Sequence, residues 1–128
     1  MEIISETRTA RVHRTPSGII VTRIKAELTQ TVQDAAENVS ASARACTGRI
    51  APILVDLREA APLDAETRHY YTGQRLVESF LALGVLVAIG AFGRMMGNAY
   101  IRVANPVIPT RLFTAEEEAI RWLESHLI

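Results

Sequence analysis

Two continuous apolar runs constrain this chain most: Ile50-Ala51-Pro52-Ile53-Leu54-Val55-Asp56-Leu57 and Val85-Leu86-Val87-Ala88-Ile89. Neither alternates polar with apolar residues, so each predicts a strand covered on both faces, as in a parallel sheet flanked by helices. Pro52 has no amide donor and must sit where the ladder needs none.

Helical spacing surrounds these runs. Leu28, Val32, Ala35, Ala36, Val39 and Ala43 fall on one face of a helix that Thr31 and Asp34 can cap and Gly48 can stop. Between the two apolar runs, Asp64 is a suitable N-cap with Glu66 in the first turn. A stripe of Tyr70, Gly73, Leu76, Val77 and Phe80 follows, with Gly84 as the expected stop. After the second run, Met96, Ala99, Tyr100 and Val103 predict a third helix, broken at Asn105-Pro106. Thr110–Phe113 reads as a short strand. Thr114 with Glu117 reads as a capping box for a last helix carrying Ala119, Ile120, Leu123 and Leu127.

At the amino end, Thr15-Pro16-Ser17-Gly18 is a turn signal between the alternating segment Thr7–Arg14 and the β-branched run Ile19–Ile24. This predicts an antiparallel hairpin. Strands joined through single helices need crossover connections. The expected architecture is therefore α/β: a mixed sheet of about five strands, mostly parallel with an antiparallel N-terminal edge strand, and four helices, in one domain spanning residues 1–128.

Composition narrows the function classes. Fourteen Lys and Arg balance fourteen Asp and Glu, so no net field attracts a polyanion and nucleic acid is not an expected partner. The balance is global rather than local. Residues 1–26 hold five cations against two acids, residues 27–84 five against eight, and residues 85–128 four against four. The longest apolar run, Phe80–Phe92, covers 13 residues and contains glycines, whereas a membrane span needs about 20. Cys46 is the single cysteine, which suits a reducing compartment. A cytoplasmic protein without an integral membrane segment is the expectation.

Chemistry-bearing patterns are sparse. The spacing Gly90-x-x-Gly93-x-x-x-Gly97 matches neither a dinucleotide fingerprint nor a lysine-containing phosphate loop. It reads as a strand-to-helix turn, with Arg94 beside it as a candidate contact for an anion or a partner carboxylate. His13, His69 and His126 show no ligand spacing, and no metal or other cofactor is implied. Cys46 reads as a small packing residue rather than a nucleophile. Asp56, Glu59 and Asp64 gather near the carboxyl end of a predicted strand, where open α/β sheets bind ligands. The simpler assignment has Asp64 capping a helix, Asp56 holding a loop or pairing with Arg58, and Glu59 and Glu116-Glu117-Glu118 solvated. In His69-Tyr70-Tyr71, one tyrosine should face the core and the others the surface.

The succession strand, strand, helix, then ILVDLR, DAETRHYY, VLVAIGAFGRMMGN and TRLFTAEEEAIRWL resembles bacterial SpoIIAA-like proteins of the STAS/CRAL-TRIO-related group from about Gly18 onward. The resemblance implies a mixed sheet with helices, often a dimer, and no known enzymatic activity for most members. Anti-sigma-factor antagonists of this fold carry a phosphorylated serine in an Asp-Ser step at a helix start. Here Asp64 is followed by Ala65, Glu66 and Thr67, so the phospho-switch does not carry over.

Two functional readings follow. One is a non-catalytic, homodimeric interaction or regulatory module with a surface drawn from Asp56, Arg58, Asp64, Arg68, Tyr71, Arg94 and Asn98. The other is a carrier of a small apolar or lipid-like ligand, with Met95, Met96 and Tyr100 lining a pocket.

Overall fold

A computed structural model describes residues 2–26, 28–71, 78–90 and 108–127. The strands are β1 (Glu2–Glu6), β2 (Ala10–Arg14), β3 (Ile20–Ile24), β4 (Ala51–Asp56), β5 (Phe80–Leu86) and β6 (Thr110–Phe113). The helices are α1 (Val32–Arg44), α2 (Ala65–Tyr70) and α3 (Glu116–Glu124). The six strands lie in one sheet in sequence order, antiparallel from β1 to β3 and parallel from β3 to β6. The mixed α/β architecture read from the sequence is thus the observed one. Among the described residues no helix is long and apolar enough to cross a membrane.

The hairpin between β2 and β3 forms at the expected turn. Gly18 takes φ +100°, a region that costs an L side chain dearly, and the Thr15 hydroxyl accepts from the Ile19 amide at 2.9 Å. The edge strand, however, is β1 rather than β2, which raises the strand count to six. Glu2–Glu6 offers little apolar alternation, and its turn lacks Gly and Pro. The Thr7 side chain does the turning instead, accepting from the Ala10 amide at 3.0 Å.

All six residues of β4 are buried, as a strand between two layers must be. Pro52 lies where the β4–β5 register shifts, between Ala51↔Phe80 and Ile53↔Leu83, so the missing donor falls at an irregularity. One face of the sheet packs Val12, Ile20, Ile53, Val55 and Val85 with Ala35 and Val39 of α1. The other packs Val21, Leu54, Leu86 and Phe113 with Ala119 and Leu123 of α3. Residues thus alternate between two cores along each strand.

Two boundaries differ from the sequence reading. Phe80 and Gly84 belong to β5 rather than to a helix and its stop; the stretch of stripe between α2 and β5, residues 72–77, lies outside the described residues. Gly84 pairs with Leu54 across the parallel register. A Cβ there would meet Leu54 Cδ1 at 3.1 Å and Leu123 Cδ1 at 3.2 Å, so this glycine sets how closely α3 approaches the sheet. α3 has Ala115 as N-cap with no side-chain cap bond, and the expected Thr114/Glu117 box does not form. The helix over Met96–Ala104 lies outside the described residues. By contrast, the capping box of Thr31 and Asp34 is present at α1.

Gly84→Val should lower unfolding stability by about 2 kcal/mol through overpacking. The penalty should shrink when Leu123→Ala supplies room in the same protein, because the two sites touch. Urea unfolding of the single and double variants reads this directly; strictly additive losses would show that Gly84 is not a spacer for α3.

Candidate functional site

The carboxyl ends of β3 and β4 carry the densest charge chemistry of the described residues. The parallel register pairs Arg23 with Asp56, and the Arg23 guanidinium donates to Asp56 Oδ2 at 2.9 Å. It also grips Glu116, at the start of α3, through two bonds of 2.6 and 3.1 Å. Two residues past β4's end, Arg58 returns to Asp56 through Nε at 3.0 Å, through its terminal nitrogen at 2.9 Å and through its amide at 3.1 Å. Arg58 reaches Glu116 as well, at 3.2 Å. Two guanidiniums and two carboxylates thus form one closed network with bidentate geometry, the strongest form of charge-assisted pairing.

The burial of the network is graded. The Asp56 side chain is 9% exposed and that of Arg58 40%. Burial pushes the Asp56 carboxyl up, but the hydrogen bonds from Arg58 and Arg23 more than offset this and hold it below the ordinary carboxylate range. Arg23 does the same for Glu116 against a smaller burial effect. Both acids therefore stay ionised well into acid.

A cavity of about 870 Å³ opens on this network, walled also by Arg11, Lys25, Leu28 and Glu59. The Lys25 ammonium is tied to Glu6 at 2.6 Å and to the Thr7 carbonyl at 2.9 Å. Arg11 stands 4.0 Å from Glu6 and is half-exposed, while the Arg58 rim and Glu59 face solvent.

Of the residues singled out in the sequence, Asp56 and Arg58 come together here. Asp64 and Arg68 do not line the cavity. Asp64 caps α2 by accepting from the Thr67 amide at 2.7 Å, which lowers its pKa, and Arg68 donates to the Leu63 carbonyl at 2.9 Å. Tyr71 must be removed from the surface: it is 2% exposed. Its hydroxyl donates to Gln30 and accepts from Asn38 Nδ2 at 3.0 Å, within a buried polar cluster that also includes Thr9 at 2.9 Å from Asn38. Here the core-facing tyrosine of the His69-Tyr70-Tyr71 stretch is Tyr71, because α2 ends against α1. Arg94, Met95, Met96, Asn98 and Tyr100 lie outside the described residues.

Arg23, Glu116, Arg11 and Lys25 escaped the sequence reading. Arg23 interrupts the run Ile19–Ile24, and a charge inside such a run signals a partner on the neighbouring strand. Glu116, read as solvated among three glutamates, is drawn in because it alone faces Arg23. Among the described residues no group of three or more His, Cys, Asp or Glu is arranged to hold a metal.

Asp56→Asn should cost roughly 3 kcal/mol, since it leaves two guanidiniums short of their shared acceptor. The depressed pKa values of Asp56 and Glu116 imply stability that is fully present above the ordinary carboxylate range and lost as pH falls through their lower folded values. Asp34, held at about 2 chiefly by the hydrogen bond from Arg8, contributes with the same sign. Glu116→Gln should accordingly lose less stability than the parent between neutral pH and pH 3 in urea titrations. An unchanged pH dependence would mean that the Glu116 pairing contributes nothing.

The comparisons with known proteins agree with this architecture. A crystal structure of an uncharacterised protein of the DUF3478 family with a SpoIIAA-like fold, from Shewanella loihica PV-4, superposes with a TM-score of 0.56 at 14% identity, covering 94% of this chain and 98% of that one. At that identity the likeness is one of fold, and the fold of this chain is SpoIIAA-like. No curated protein sequence matches. The sequence model described as a domain of unknown function, DUF7793, matches residues 14–127, and the chain belongs to that family.

Proposed function

We propose that the protein is a non-catalytic interaction or regulatory module that receives a protein partner on the face around Asp56, Arg58, Glu59 and Arg11. One observation carries this reading: the ionisable groups at the carboxyl end of the sheet neutralise each other. Asp56 and Glu116 are locked in guanidinium pairs with lowered pKa values, so neither is poised to exchange a proton near neutrality. The described lining of the cavity contains no Ser, Thr, Cys, His or Tyr, hence no hydroxyl, thiol or imidazole nucleophile, and its Lys25 and two of its carboxylates, Asp56 and Glu116, are engaged in ion pairs. What remains outward is a rigid rim of mixed charge, which favours a complementary protein surface.

The reading has no phosphorylation step at the start of α2. Thr67 is fully buried and its amide is already held by Asp64, while the two residues before it are Ala65 and Glu66. A lone, half-buried Cys46 thiol suits work in a reducing cytoplasm. The partner is a second copy of the chain or another regulatory protein.

A photo-crosslinking residue placed at Glu59 should trap one discrete protein adduct in cells, self or heterologous. The same residue at Glu124, on the exposed side of α3, should not. Arg58→Glu should abolish the adduct at position 59. Identical diffuse labelling at both positions, or indifference to Arg58→Glu, would remove the proposed face.

A further inference from the structure

The opposite end of the sheet holds a second cavity of different chemistry, about 760 Å³ in volume, within the usual size range of small-molecule sites. It opens where the amino ends of β3, β4 and β5 meet the end of α1. Its walls are largely apolar, and its rim exposes Ile50 by 56% and Leu127 by 38%, two of the four large apolar side chains exposed among the described residues. The charged residues lining it are Arg14 and Arg49; no acid lines it among the described residues. Arg14 donates to the carbonyl of Ala45 at 2.9 Å, so it covers the negative end of α1 with a guanidinium whose other donors remain for use. Arg49 is exposed and makes no ion pair among the described residues.

An apolar groove with two arginines and no counter-charge among its described lining residues is complementary to an amphipathic anion. We infer that this cavity binds an aliphatic carboxylate of medium chain length, its alkyl chain lying against Ile50, Leu81 and Leu127 and its carboxylate held by Arg14 and Arg49. The planar guanidinium matches a carboxylate in two-point contact, and covering Ile50 and Leu127 supplies the apolar share of the affinity. This site is separate from the face assigned above to a protein partner, so either can stand without the other.

Cys46, the single cysteine of the chain, lies half-buried in the cavity wall and reports on occupancy. Octanoate at about 1 mM, the weak range natural for so small a ligand, should slow maleimide labelling of Cys46 at least twofold. It should also shift the methyl NMR signals of Ile50 and Leu127 saturably. Octylammonium and acetate at the same concentration should do neither. Arg49→Ala, at an exposed position, should weaken the octanoate response at least threefold, and Arg49→Lys should recover part of it. Equal responses to octylammonium would reduce the site to a greasy groove, and equal responses to acetate would reduce it to a non-specific anion effect. Either outcome, or octanoate without effect on both signals, or a response indifferent to Arg49→Ala, overturns the inference.

Discussion

The structure depends on burying β4 on both faces while ending it on a carboxylate. The apolar residues of that strand join the two halves of the core, since Ile53 and Val55 face α1 while Leu54 faces α3. Carrying the strand one residue further buries Asp56, and an unpaired carboxylate there would cost several kcal/mol. The parallel register supplies Arg23 from β3, and the chain's exit from the strand supplies Arg58. Two guanidiniums around one carboxylate then leave a positive excess, which Glu116 cancels. That last contact fixes where α3 begins. It also places a negative charge in the first turn of a helix that lacks a side-chain cap, offsetting part of the missing cap's contribution.

The same logic explains what could be read from the sequence. Continuous apolar runs, the turn at Gly18 and the box of Thr31 with Asp34 are local signals, and the order of strands and helices followed from them. The pairing of Asp56 with Arg58, two residues apart, was equally legible. Arg23 and Glu116 are 93 residues apart in the chain, and nothing local in either segment announces the other. Gly84 was misread for a related reason. A glycine after a helical stripe normally marks a stop, but here the requirement is tertiary: the space its missing Cβ leaves is filled by Leu54 and Leu123. Tyr71 was placed on the surface because its hydroxyl finds Asn38 and Gln30 only once α1 and α2 have packed together.

The edges of the sheet bear on partners as well. Among the described residues β1 is an edge of the sheet, but its sequence Glu2-Ile3-Ile4-Ser5-Glu6 opposes self-pairing. A second copy laid antiparallel about Ile4 would set Glu2 against Glu6 twice, and like charges directly opposite each other destabilise a ladder. Charged residues on an edge strand commonly serve to keep edges apart. If a second copy is the partner, its place is a face of the molecule rather than this edge, which returns attention to the two ends of the strands.

Those ends divide the chain's zero net charge unequally. At the carboxyl end the network of Arg23, Arg58, Asp56 and Glu116 sums to zero within itself, so the charge there is spent on holding α3 and the loop after β4 in place. At the amino end Arg14 and Arg49 stand over an apolar groove with no acid among its described lining residues. A charge satisfied inside the fold contributes shape and rigidity, whereas a charge left unsatisfied beside exposed apolar surface contributes affinity for something outside it. The neutral total therefore masks a division of labour: a stiff, self-compensated platform at one end of the strands and an uncompensated, amphipathic recess at the other.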